Sequence, residues 1–153
     1  MKIFSLLIIS ATLLCPALGK AQTVYPVKWT WKALPLSKDE YNLVFTAQID
    51  KGWHTYSQFI GEGGPVATSL VFNAQNKDIQ LVGKATEKGS KVHNAFDPVF
   101  EMQLKYFDTD LVIEQRIKLL ADTRLTGTLE FMACDDARCL PPNLIPFSFD
   151  LKK

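Results

Sequence analysis

Alternation of apolar and polar residues constrains this chain more than any other feature. It is cleanest in Leu111-Val112-Ile113-Glu114-Gln115-Arg116-Ile117-Lys118-Leu119 and in Thr128-Leu129-Glu130-Phe131. A period of two places successive side chains on opposite faces of a strand, so each run reads as a strand with one buried face. Further runs of β-branched and aromatic residues predict strands at Val27–Trp31, Asn42–Ile49, Trp53–Ser57, Thr68–Asn73, Ile79–Lys84, Val99–Tyr106 and Ile145–Leu151. The alternating runs themselves extend over Leu111–Leu119 and Thr126–Ala133. Turn-forming clusters separate them at Asp50-Lys51-Gly52, Asn73 to Asp78, Asp108-Thr109-Asp110 and Asp122 to Thr126. No stretch carries the period and caps of a long amphipathic helix. The expected fold is therefore all-β, an immunoglobulin-like β-sandwich.

Two stretches lack strand character. Phe59 to Val66 holds Gly61, Gly63, Gly64 and Pro65 and reads as a loop. Lys84 to Pro98 is polar, with Phe96 alone near its end, and also reads as a loop, of a length that often carries function.

The first residues belong to a different problem. Lys2 precedes twelve uncharged residues, Ile3 to Leu14, enough for the apolar core of a secretory signal and too few to span a bilayer. Small residues at Ala17, Gly19 and Ala21 suit cleavage after Gly19 or Ala21, and Ala21 is taken here. Residues 1–21 are thus expected to be a signal peptide and 22–153 a single domain. A lipid anchor on Cys15 is disfavoured, because Leu14 precedes it where a small residue is usual. An exported, soluble protein follows, with no stable membrane insertion. The formal charge of the whole chain is +1 and no basic block exists, so a nucleic-acid partner is not expected.

Beyond the signal two cysteines remain, an even number that fits an oxidising compartment. They stand in Cys134-Asp135-Asp136-Ala137-Arg138-Cys139. Five extended steps would separate them by about 16 Å, whereas a disulfide needs Cα atoms about 4.4–6.8 Å apart. The four residues between must then reverse the chain, and Asp-Asp-Ala-Arg suits such a turn. So short a loop gains only about 2 kcal/mol from cross-linking. A loop-borne pair suits opening and closing, although spacing alone leaves a structural hairpin staple equally open. Arg138 would favour a thiolate on Cys139, while Asp135 and Asp136 would oppose one on Cys134. Zinc held with His54 and His93 is set aside, because the histidines lack any paired spacing. No Ser-His-Asp order, phosphate loop or cofactor motif is present, and no cofactor is expected. Trp29, Trp31 and Trp53 read as core or sheet-face residues.

The cysteine segment with Leu140-Pro141-Pro142 and the strand Ile145-Pro146-Phe147-Ser148-Phe149 resembles the periplasmic N-terminal domain of the thiol:disulfide interchange protein DsbD. Gly52-Trp53-His54-Thr55-Tyr56 resembles that domain's Gly-aromatic segment, and Val92-His93-Asn94-Ala95-Phe96-Asp97 its cap loop. The resemblance implies an immunoglobulin-like domain with protein-disulfide reductase-type activity. It would carry electrons through Cys134 and Cys139 to or from thioredoxin-like domains: a membrane electron conduit, a disulfide isomerase or a cytochrome c maturation protein. It further implies that Cys139 forms the mixed disulfide, that Cys134 resolves it, that Phe96 and Asp97 belong to the cap, and that Tyr56 and His54 line the site. Two departures stand out. Four residues separate the cysteines where the best-known members have five, and the sequence stops at Lys153, so the reductant is expected from a separate protein. The competing expectation is a non-catalytic exported adaptor whose hairpin disulfide is structural.

Overall fold

A computed structural model describes residues 25–97 and 100–153. The expected signal segment, Cys15, Pro98 and Val99 lie outside the described residues. In chain order the strands are β1 (Val27–Pro35), β2 (Glu40–Ile49), β3 (His54–Tyr56), β4 (Ser69–Phe72), β5 (Ile79–Lys88) and β6 (Val92–Asp97). They continue as β7 (Met102–Phe107), β8 (Asp110–Leu119), β9 (Thr123–Phe131), β10 (Ala133–Cys134) and β11 (Asn143–Leu151). All pairings are antiparallel, and the described residues contain no helix. The fold is the all-β, immunoglobulin-like sandwich that the alternation predicts.

One sheet has the order β1-β2-β8-β5 and the sheet facing it β11-β9-β4. On β8 the residues Leu111, Ile113, Ile117 and Leu119 are buried, and Val112, Glu114, Arg116 and Lys118 take the other face. Leu43, Phe45, Ala47 and Ile49 of β2 join them from one side, and Leu125, Leu129, Phe147 and Phe149 from the other. Phe45 meets Phe147 edge-on at 4.9 Å and Phe149 at 5.7 Å, which ties the two sheets together with the offset geometry that aromatic quadrupoles prefer. Gln115 is the polar interruption of the buried face of β8. Its amide donates to the Arg116 carbonyl at 2.7 Å and reaches toward Val82 beside the bulge in β5, where Gly83 adopts a φ of 71°. A positive φ of that size suits glycine, which has no Cβ to clash.

The third sheet, β10-β3-β7-β6, lies apart from these pairings and holds a second buried cluster of Tyr56, Leu104 and Cys134. Met132 alone separates β9, a strand of the sandwich, from β10, a strand of this sheet. The chain thus switches sheets in one step and carries Cys134 with it. The Thr55 hydroxyl donates to the Met132 carbonyl at 2.9 Å and satisfies the backbone at that switch.

The described part of the stretch expected as a loop, residues 84–97, is mostly strand. β5 runs on to Lys88, and Val92–Asp97 forms β6, paired with β7 from Val92↔Phe107 to Asp97↔Met102. Both are outer strands of their sheets, and most of the β6 side chains are exposed. An edge strand with little buried surface needs no apolar alternation, so its sequence reads as polar loop. The strand expected from Val99 begins at Met102, because Phe100 and Glu101 make a turn in which Glu101 has a φ of 53°.

Candidate functional site

The site begins with the hairpin after β10. Cys134 pairs with His54 of β3, and Cys134 and Cys139 face each other across an antiparallel bridge with Cα atoms 4.0 Å apart. Their sulfurs are bonded. Asp135 makes the reversal. Its Oδ1 accepts the Ala137 N–H at 2.9 Å and the Arg138 N–H at 2.8 Å, and its own N–H donates to the Arg138 carbonyl. The Leu140 N–H donates to the Ala133 carbonyl at 2.8 Å and closes the loop. The backbone N–H of Ala137, with that of Arg138 and the guanidinium beside it, holds the Asp135 carboxyl below its ordinary range.

The two sulfurs belong to residues in opposite environments. Cys134 is 1% exposed, whereas Cys139 sits at the surface. Arg138 lies with its guanidinium 5.8 Å from the Trp53 ring centre and 3.5 Å from Asp135. This cation–π contact ties the tip of the hairpin to the turn between β2 and β3.

A cleft of about 290 Å³ runs beside the disulfide. His54 and Tyr56, two apart on β3, form one wall with Tyr106 of β7. Ala95, Phe96 and Asp97 of β6 and Phe100 form the other side, and Asp135 to Cys139 the rim. Phe96 therefore faces the same cleft as the disulfide, on a strand rather than a loop. It is 58% exposed, so the cleft is open. Asp97, the last residue of β6, accepts the Phe100 N–H at 3.1 Å. The sequence expectation brought Cys134, Cys139, Phe96, Asp97, Tyr56 and His54 to one place, and all six line this cleft.

Sequence reasoning did not find Tyr106. It enters through register, opposite Tyr56 on one side and His93 on the other. His93 stacks on its ring at 4.7 Å and 7°, and His54 contacts it at 4.8 Å. A second cleft, of about 410 Å³, shares His54, Tyr106 and Asp136 with the first and is completed by Lys51, Trp53, Lys91 and Asp108. Asp108 accepts from Lys91 at 2.6 Å and contacts His93 Nε2 at 2.8 Å. The Lys91 hydrogen bond, with those of His93 and Thr109, brings its carboxyl down to about 2. Among the described residues no group of three His, Cys, Asp or Glu side chains is disposed to hold a metal ion.

His54 and Tyr56 are joined, His54 Nε2 to Tyr56 Oη at 3.1 Å. Burial lowers the His54 pKa against the opposing pull of Asp136, Asp97, Asp108 and Asp135. Burial, helped by Asp97 and Tyr106, pushes the Tyr56 phenol up to about 12, so it stays protonated at neutral pH. The cleft thus combines one buried cysteine, one exposed cysteine and a phenol–imidazole pair beside them.

Comparison with known proteins bears on the family and the fold. The family model for the N-terminal part of the thiol:disulfide interchange protein DsbD matches residues 21–148. The fold is similar to the N-terminal periplasmic domain of ScsB from Proteus mirabilis, with a TM-score of 0.60 at 19% identity over 81% of this chain. The chain spans 46% of the length of that structure. It is also similar to the DsbD N-terminal domain of Neisseria meningitidis in the reduced form, with a TM-score of 0.51 at 15% identity, over 80% of this chain and 86% of that one. No curated protein sequence matches the chain significantly. The match over residues 21–148, carried by a sandwich with a hairpin disulfide at its end, means that this chain belongs to the family of DsbD N-terminal domains, a thiol:disulfide interchange family.

Proposed function

We propose that the domain, residues 22–153, is exported to the periplasm behind a cleaved signal and carries electrons by reversible opening of the Cys134–Cys139 disulfide. The observation that carries this reading is the asymmetry of the pair: Cys139 exposed, Cys134 buried. Exchange passes through a mixed disulfide, which needs one sulfur within reach of a partner and another held behind it. A partner thiolate attacks Cys139 Sγ, the bond to Cys134 breaks, and Cys134 takes the electron pair. A second partner thiolate then attacks the partner sulfur of the mixed disulfide and releases Cys139. The domain gains two electrons and the partner dithiol becomes a disulfide; the reverse sequence delivers the electrons onward. Thioredoxin-like domains suit this role, among them a membrane electron conduit, a disulfide isomerase or a cytochrome c maturation protein. Phe96 is the cap that moderates access, with Asp97, Tyr56 and His54 around it.

The reduction potential of the pair tests the reading. Equilibration with dithiothreitol or glutathione buffers should give a value in the range of exchange proteins, above about −300 mV. A lower value would make the bond a structural staple and the domain an adaptor.

A further inference from the structure

Cys134 presents a problem that Cys139 does not. Each time the disulfide opens, Cys134 leaves as a thiolate inside a buried cluster, and each time it attacks it must lose a proton there. An isolated buried charge is costly, so a proton must be given and taken locally. Tyr56 is packed in the same buried cluster as Cys134, and its hydroxyl is 3.1 Å from His54 Nε2. His54 sits opposite Cys134 in the β3–β10 register and lines both clefts, so its ring connects the buried pair with the surface.

We propose that His54 is the proton-holding residue of the exchange, acting on Cys134 through the Tyr56 hydroxyl. This rests on the redox reading above. When Cys134 attacks the mixed disulfide at Cys139 Sγ, its thiol proton passes to Tyr56 Oη while the phenol proton passes to His54 Nε2. The Cys134–Cys139 bond forms, the partner sulfur leaves with the bonding electron pair, and His54 releases its proton to solvent. In the opposite direction, expulsion of Cys134 reverses both transfers, and its thiolate is neutralised as it forms. Tyr56 remains a phenol throughout. The groups facing His54 are Tyr56 on its own strand, Tyr106 of β7, Asp97 of β6, Asp108 after β7, and Asp135 and Asp136 of the hairpin. Lys51 and Lys91 line the outer cleft with it. The carboxylates stabilise a transient imidazolium, and burial returns it to the neutral form that accepts the next proton.

The test follows one step. The reduced protein is mixed with oxidised glutathione, quenched with acid at intervals, and the decay of the Cys139–glutathione adduct is followed by mass spectrometry between pH 5 and 9. In the wild type the decay should already have levelled off below about pH 6.5, the ordinary imidazole value, because burial lowers that of His54. In His54→Gln it should keep rising toward the ordinary thiol range near about 8.5, and at pH 7 be slower by about tenfold or more. Tyr56→Phe should behave like His54→Gln. A wild-type profile that rises without levelling until the thiol range overturns the proposal without reference to any variant. Equal profiles for wild type and His54→Gln overturn it too. Failure of any adduct to form, with the disulfide also resistant to dithiothreitol, would instead defeat the redox reading beneath it.

Discussion

Asp135 takes two backbone N–H groups onto one carboxylate oxygen, and this is why a four-residue link suffices to bring Cys134 and Cys139 together. That local rule was legible in Cys-Asp-Asp-Ala-Arg-Cys, because Asp in turns accepts amides a few residues on. The position of Arg138 was not, since only the folded chain brings Trp53 beneath its guanidinium. Two residues lend themselves to direct tests. Phe96 is 58% exposed, so truncating it removes little buried surface. Phe96→Ala should speed reaction of the disulfide with a small thiol while shifting stability by no more than about 0.5 kcal/mol. An unchanged rate, or a loss of about 3–5 kcal/mol as for a core aromatic, would make Phe96 a structural residue. Glu87 is different. Its side chain is 2% exposed, 2.8 Å from Lys105, and accepts from the Ser57 hydroxyl and the Gln58 N–H. Burial alone would raise its pKa, but these hydrogen bonds and the Lys105 charge outweigh it and the net shift is downward. A depressed folded pKa contributes stability that is present above the unfolded value of about 4.3 and is lost as pH falls through the folded value. Urea midpoints should therefore drop more steeply below about pH 4.3 in the wild type than in Glu87→Gln. At neutral pH that variant should be weaker by about 2 kcal/mol; parallel pH curves would contradict this assignment.

At the level of elements, legibility follows burial. β8 was readable residue by residue because five alternate positions, Leu111 to Leu119, face the core. β6 was not, because an outer strand with mostly exposed side chains buries too little to impose a pattern. The same limit hid Tyr106, whose place depends on the β3–β7 and β6–β7 registers, which no local signal specifies. β9 shows how tightly the facing sheet is built. Gly127 pairs with Phe147 and Phe72, and a Cβ at this position would stand 2.3 Å from the Phe147 ring and 2.5 Å from the Val71 carbonyl oxygen. The ring could shift, but the carbonyl belongs to the neighbouring strand and has no room to yield. Gly127→Ala should cost about 1–3 kcal/mol by thermal or urea unfolding. A neutral outcome would mean that β4 is held more loosely than its pairing with β9 implies.

On the scale of the whole molecule, the sandwich supports a small sheet, and that sheet carries the disulfide hairpin and the cleft beside it. Alternation in the sequence specified the two facing layers, and the cysteine segment specified the hairpin that the Cys134–Cys139 disulfide closes. Their connection, a one-residue switch at Met132 from β9 into β10, arises from tertiary pairing and has no signature of its own. The switch leaves Cys134 with its backbone in a sheet and its side chain buried, while Cys139 stays on the outside of the turn. That asymmetry is the core of the account, and trapping tests it most directly. Cys134→Ser should accumulate covalent complexes with thioredoxin-like proteins through Cys139, visible as reducible bands on a non-reducing gel. Cys139→Ser should trap little or nothing. Equal trapping by both variants, or by neither, would contradict the division of labour between the two cysteines.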